Sequence, residues 1–132
     1  MSKQIRVVAA VIRRGDTLLV CQRPAHQRHG GLWEFPGGKC ELGESDAEAI
    51  RRELREELQV ETVNVEESQY KIADPDSPFL IAFVHADIIG EPVAREHQAL
   101  LWATANQLLG VSLAPSDRRY LENSISQLAA GS

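Results

Sequence analysis

Two cysteines, Cys21 and Cys40, are all that the 132 residues contain. That is too few for a disulfide framework and points to a reducing compartment. Long hydrophobic runs are missing too. No stretch approaches the roughly 20 apolar residues needed to span a bilayer. The first residues, Met1-Ser2-Lys3-Gln4-Ile5-Arg6, lack the apolar centre and cleavage site of a secretion signal. A cytoplasmic protein with no membrane partner is expected. No low-complexity run, internal repeat or linker divides the chain, so residues 1–132 are expected to form one domain around one core. An excess of basic charge is also lacking. The net charge of −5 argues against a general binder of nucleic-acid polymers. What remains, 43% hydrophobic and 25% charged residues, favours a folded chain over a disordered one.

The charges are unevenly placed. Residues 13–39 carry Arg13, Arg14, Arg23, Arg28 and Lys39 against Asp16 and Glu34. Residues 41–61 carry eight acids against Arg51, Arg52 and Arg55. A basic segment feeding an acidic one suits a metal–polyphosphate ligand, with acids for the cation and bases for phosphate oxygens. Both segments could equally be solvated faces. Clustered carboxylates repel one another and are costly to desolvate, so a fold gains little from packing them together. A divalent cation removes that conflict. Mg2+ takes oxygen ligands, commonly a few carboxylates plus substrate phosphates.

The chain reads as alternating strands and helices. Residues 5–12 are nearly continuous in apolar residues, like a central strand. Arg14-Gly15-Asp16 reads as a turn and residues 17–23 as the second strand of a hairpin. Pro24 to Gly31 is a loop. Residues 32–35 are a short extended piece halted by a turn at Pro36-Gly37-Gly38. Ser45-Asp46-Ala47-Glu48 matches a capping box, placing a helix at about 46–58. At about 100° per residue, Ala47, Ile50, Leu54 and Leu58 share an apolar face. Glu53 and Glu57 lie together beside it, with Glu56 adjacent, and Glu48, Arg51 and Arg55 face solvent. Residues 61–70 read as one strand, 74–78 as a loop, 79–87 as a buried strand and 100–103 as a short strand. Thr104-Ala105-Asn106-Gln107 is a second capping box, opening a short helix ended by Gly110. A last helix from about Ser116 buries Tyr120, Leu121, Ile125 and Leu128. The fold class is α/β, a mixed sheet flanked by helices.

Residues 38–60 run Gly38, five residues, Glu44, seven residues, Arg52-Glu53-Leu54, one residue, Glu56-Glu57, one residue, Gln59-Val60. This spacing resembles the Nudix box. One fixed position departs: Gln59 stands where the family has glycine. Glycine there would cap the helix at positive φ, and glutamine in that geometry costs about 1 kcal/mol. The resemblance extends to Leu19-Val20-Cys21-Gln22-Arg23-Pro24, to residues 32–39, to Leu101-Trp102 and to Leu113-Ala114-Pro115-Ser116-Asp117. Together these are similar to the MutT branch, the nucleoside triphosphate pyrophosphohydrolases.

The resemblance implies an α/β/α Nudix sandwich. It implies that Glu53, Glu56 and Glu57 hold Mg2+, with Mn2+ a possible substitute and the Gly37 carbonyl a further ligand. Arg52 would orient a catalytic glutamate, and Glu44 would support the loop–helix geometry. Gly37 and Gly38 would allow close approaches that a side chain blocks. Arg23 and Lys39 would serve substrate binding, with Arg23 on phosphates. Glu34 would stand near metal or substrate, and Phe35 near the base or in the core. Glu96 matches a loop glutamate used as metal ligand or general base. Asp117 stands where enzymes specific for oxidised guanine carry an asparagine that reads the base. An ionised aspartate only accepts hydrogen bonds, which suits an exocyclic amine such as cytosine N4.

The expected partner is therefore a nucleoside triphosphate, for a monomer or homodimer. CTP, dCTP and 5-substituted dCTP stand ahead of 8-oxo-dGTP. The rivals are a Nudix enzyme for another diphosphate, a nucleotide-binding regulator that no longer hydrolyses, and an interaction domain with a solvated acidic helix.

Overall fold

The computed structural model describes residues 4–68, 70–75 and 77–130, with side chains through residue 125. Strands β1 (Ile5–Arg14), β2 (Thr17–Gln22), β3 (Trp33–Glu34) and β4 (Gly37–Lys39) come first. Helix α1 (Asp46–Leu58) follows, then β5 (Glu61–Val65), β6 (Tyr70–Ala73), β7 (Phe79–Ile89) and β8 (Ala99–Thr104). Helices α2 (Ala105–Leu108) and α3 (Pro115–Ala130) close the described chain. The sheet runs β3-β2-β1-β7-β5, with β4 on β1, β6 on β7 and β8 on β2. β1 pairs parallel with β7 and antiparallel with β2, as the hairpin reading requires.

Side chains alternate along β1, and each face has its own core. Val8, Ala10 and Ile12 join Ile50, Leu54 and Leu58 of α1. Ala9 and Val11 join Leu108, Tyr120 and Leu121 from α2 and α3. This is the expected α/β/α sandwich. Each fully buried leucine contributes about 2 kcal/mol.

Helix α1 keeps its expected bounds, and Ser45 and Glu48 form both halves of the capping box. Its buried face is turned from the expected one. Ala49 is buried and Ala47 only partly, so the face includes the row that carries Glu53 and Glu57. Glu57 is buried as a result. Gln59 caps the helix in the left-handed region, at φ 58° and ψ 37°, where glycine rests without strain. Gln59→Gly is expected to stabilise the fold by about 1 kcal/mol and leave activity unchanged. Urea unfolding read against the parent checks it.

Three local expectations are corrected. The glycine turn is instead β4, which pairs with Val7–Ala9 of β1. Residues 61–70 are not one strand. β5 pairs with residues 86–89 of β7, and β6 with residues 80–83 of the same strand. Both capping boxes form, yet α2 is a single turn, with Leu109 its right-handed cap before Gly110. Tyr120 and Leu121 of α3 are buried and Ile125 is partly buried; Leu128 lies outside the described side chains.

Candidate active site

Strand β4 positions the site because its glycines let backbone meet side chain. A Cβ on Gly38 would lie 2.6 Å from the Glu53 carboxyl carbon. A Cβ on Gly37 would lie 1.9 Å from the carbonyl oxygen of Val8. The Gly37 N–H donates to Glu57 Oε2 at 3.1 Å. Glu53 and Glu57 are therefore drawn against the strand rather than into solvent.

Arg52 organises the entrance. Its Nε and Nη2 donate to the two oxygens of Glu44, each at 2.8 Å. Its Nη1 donates to Glu53 Oε1 at 2.8 Å, and its Nη2 also donates to the carbonyl of Lys39. The paired guanidinium, then the Glu41 amide, pull Glu44 down to about 2. Glu56 is exposed and lies 3.5 Å from Arg52.

The carboxylates behind β4 hold their protons tightly. Burial first, then the charges of Glu53, Glu34 and Glu96, push Glu57 up to about 9. Glu53 is raised by burial, with Glu56 and Glu96 adding to it and Arg52 opposing. Glu96 itself is exposed. Among the described residues, no three His, Cys, Asp or Glu side chains form a ready cage for an ion. The donor set nevertheless fits a hard divalent cation. It is all oxygen, crowded with like charge and partly open, and a cation would offset the burial and repulsion that raise Glu57.

Beside this cluster is a cavity of about 400 Å3. Arg23, Glu34, Phe35, Gly37, Gly38, Lys39 and Asp117 all line it, which brings seven residues singled out from the sequence to one place. Arg23 donates through Nη1 to both oxygens of Glu34, at 3.2 and 3.3 Å, and through Nε to the carbonyl of Arg28. Asp117 Oδ2 accepts the Phe35 N–H at 2.8 Å. Burial first, then the charge of Glu34, pushes Asp117 up to about 8.

Phe35, expected near the base or in the core, both packs into the core and lines the cavity. The residue is 3% exposed and meets Phe83 and Tyr120 edge to face, so only its margin reaches the cavity. The half-buried ring of Phe79 lines the cavity as well, with Lys39 Nζ 5.3 Å from its centroid.

A second residue escaped the sequence reading. His97 Nε2 lies 3.1 Å from Glu34 Oε2 and 3.7 Å from Glu57 Oε1, with the side chain 6% exposed. Its only sequence signal is its place beside Glu96.

A family model described as NUDIX domain matches residues 3–124. The chain is 43% identical over 122 residues to the CTP pyrophosphohydrolase of Escherichia coli, covering 91% of this chain and 90% of that one. It is 30% identical over 132 residues to the 8-oxo-dGTP diphosphatase of Haemophilus influenzae, covering 96% of each. The solution structure of the E. coli ORF135 protein superposes with a TM-score of 0.82 at 41% identity, over 97% of this chain and 93% of that one.

Proposed function

The chain belongs to the NUDIX domain family, and we propose that it is a Mg2+-dependent nucleoside triphosphate pyrophosphohydrolase that cleanses the nucleotide pool. Hydrolases of this family use divalent metal ions. The observation that carries the reading is Glu57, a carboxylate buried near other carboxylates and hydrogen-bonded to Gly37, which lines the cavity. A structural role alone gives no return for that desolvation.

Glu53, Glu56 and Glu57 would hold the ion, with the Gly37 carbonyl as a further oxygen. Bound there, a divalent ion polarises phosphoryl oxygens and lowers the pKa of the attacking water. Arg52 keeps Glu53 in place, and Glu44 keeps Arg52 in place. Arg23 and Lys39 neutralise phosphate charge as it builds in the transition state. Glu96 takes the proton of the attacking water. Water adds to phosphorus, a phosphoanhydride bond breaks, and nucleoside monophosphate and pyrophosphate leave.

Asp117 sets the base. When ionised, its carboxylate accepts only, which would select cytosine N4, and the likeness to the E. coli CTP pyrophosphohydrolase supports that choice. A second reading, 8-oxo-dGTP, has an observation of its own. With Asp117 pushed up to about 8, its neutral carboxyl both donates and accepts, as an asparagine does.

Pyrophosphate release with Mg2+ from CTP, dCTP, 5-methyl-dCTP, dGTP and 8-oxo-dGTP tests this, with Asp117→Asn alongside. The expected result is a cytosine preference of about tenfold or more that the variant loses. Preference for 8-oxo-dGTP would keep the reaction and replace the base. No release from any of them would overturn the nucleoside triphosphate reading and leave a Nudix enzyme for another diphosphate, or a nucleotide-binding regulator.

A further inference from the structure

Four polar side chains form a line that joins the cavity to the acidic helix: Arg23, Glu34, His97 and Glu57. Arg23 and Glu34 belong to the cavity wall. Glu57 belongs to α1. His97 comes from the segment 91–98, and that segment is tied down on both sides. The amides of Val93 and Arg95 donate to the carbonyls of Leu58 and Glu57, at 2.9 and 3.1 Å. The Gln98 amide donates to the Gln22 carbonyl at 2.9 Å, and its side chain to that of Gln22 at 3.0 Å. The imidazole is thus delivered by backbone bonds to the C-terminal end of α1 and to β2. It does not hang from a free loop.

Its chemistry at that point is narrow. A carboxylate only accepts, so the tautomer that serves Glu34 carries its hydrogen on Nε2. Nδ1 is buried with no hydrogen-bond partner among the described residues. Nε2 is therefore the one polar anchor of the ring. At 3.1 Å it bonds Glu34, and Glu57 Oε1 lies 3.7 Å from the same nitrogen, beyond hydrogen-bond reach but within that of its dipole. One ring nitrogen thus stands between two carboxyl groups from different elements. Moving Glu34 moves the ring, and moving the ring changes what Glu57 meets.

We propose that His97 is a positioning residue that couples the cavity wall to the metal site: its Nε2–H, bonded to Glu34 and held beside Glu57, makes divalent-ion affinity at Glu57 depend on Glu34. The inference rests on the function proposed above and adds a route by which the cavity wall influences the ion. Groups that orient ligands in this way are commonly worth 10- to 100-fold in metal affinity.

Mn2+ alone is the probe, with free Mn2+ counted by electron paramagnetic resonance. Four proteins are compared: the parent, Glu34→Gln, His97→Phe and the double variant. Each single variant is expected to weaken Mn2+ binding, His97→Phe by about tenfold or more. The double variant is expected to bind no more weakly than His97→Phe, since Glu34 acts through the imidazole. His97→Gln keeps one N–H and is expected to return to within about threefold of the parent. If His97→Phe does not fold, the smaller His97→Leu takes its place in the cycle.

Three results would overturn the proposal. If the single effects multiply in the double variant, charge acting through space is sufficient and His97 couples nothing. If His97→Gln binds as weakly as His97→Phe, the N–H is not the cause. If the parent binds no Mn2+, there is nothing to couple. In the first two cases a parent that still releases pyrophosphate keeps the hydrolase reading. In the third, the absence of turnover removes that reading as well.

Discussion

Glu57→Gln is expected to fold, to resist heat better than the parent when no metal is present, and to lose on the order of 10³ in turnover. The stability gain follows from the burial that makes the residue useful. Glu57 stands at about 9 in the folded chain, against an ordinary value of 4.5. Between those values the folded chain keeps a proton that the unfolded chain has lost. Stability of the metal-free protein therefore falls as pH rises from about 4.5 to 9, and levels off above. Glutamine has no proton to lose, so the variant escapes Glu57's share of that decline. Asp117, at about 8 against an ordinary 3.8, contributes a slope of the same sign and similar size below pH 8. Thermal unfolding with a chelator at three pH values between 5.5 and 8.5 reads the slope directly. A variant less stable than the parent at pH 8 would contradict the account. A divalent ion should stabilise the parent and do little for the variant.

The second large effect separates two adjacent glycines. Gly37→Ala is expected to cost about 4 kcal/mol or more, since its Cβ meets the Val8 carbonyl at 1.9 Å and both backbones belong to paired strands. Gly38→Ala is expected to fold with a loss of about 1 kcal/mol or less. Its Cβ meets only the carboxyl end of Glu53, at 2.6 Å, and a side chain can swing away. Swinging away takes Glu53 from Arg52 and from the place where an ion is expected. Activity should then fall about 100-fold, with much more metal needed to support what remains. Denaturant unfolding of both variants and a metal titration of Gly38→Ala make the comparison. Parental activity in Gly38→Ala would mean that Glu53 has no fixed task.

What was legible in the sequence was local. Helix α1 follows from a 3.6-residue period and a capping box four residues long, and Gln59 adopts the geometry argued from the missing glycine. β1, β2 and β7 follow from β-rich runs. The misses are contacts between distant residues. β4 pairs with a strand some 30 residues earlier, so glycines that look like a turn become extended. β5 and β6 share one partner strand, and the break between them, near Glu66-Glu67-Ser68, carries no glycine or proline to announce it. The site shows the same division. Arg52 pairs with Glu53 and also with Glu44, all three within one stretch of 10 residues. The sequence left Phe35 open between base and core, because the Phe83 and Tyr120 rings that pack on it come from far along the chain. His97 reaches Glu34 across 63 residues, and nothing near it in sequence marks that meeting.

The central claim is that the buried carboxylates of α1 hold the divalent ion that supports hydrolysis. Pyrophosphate release from CTP by the parent and Glu57→Gln, as Mg2+ is titrated from zero in chelator-treated protein, tests it most directly. The account predicts no release without metal, saturating release in the parent, and about a thousandth of that rate in the variant at any Mg2+ concentration. Equal release from both proteins, or release that ignores the metal, would contradict it.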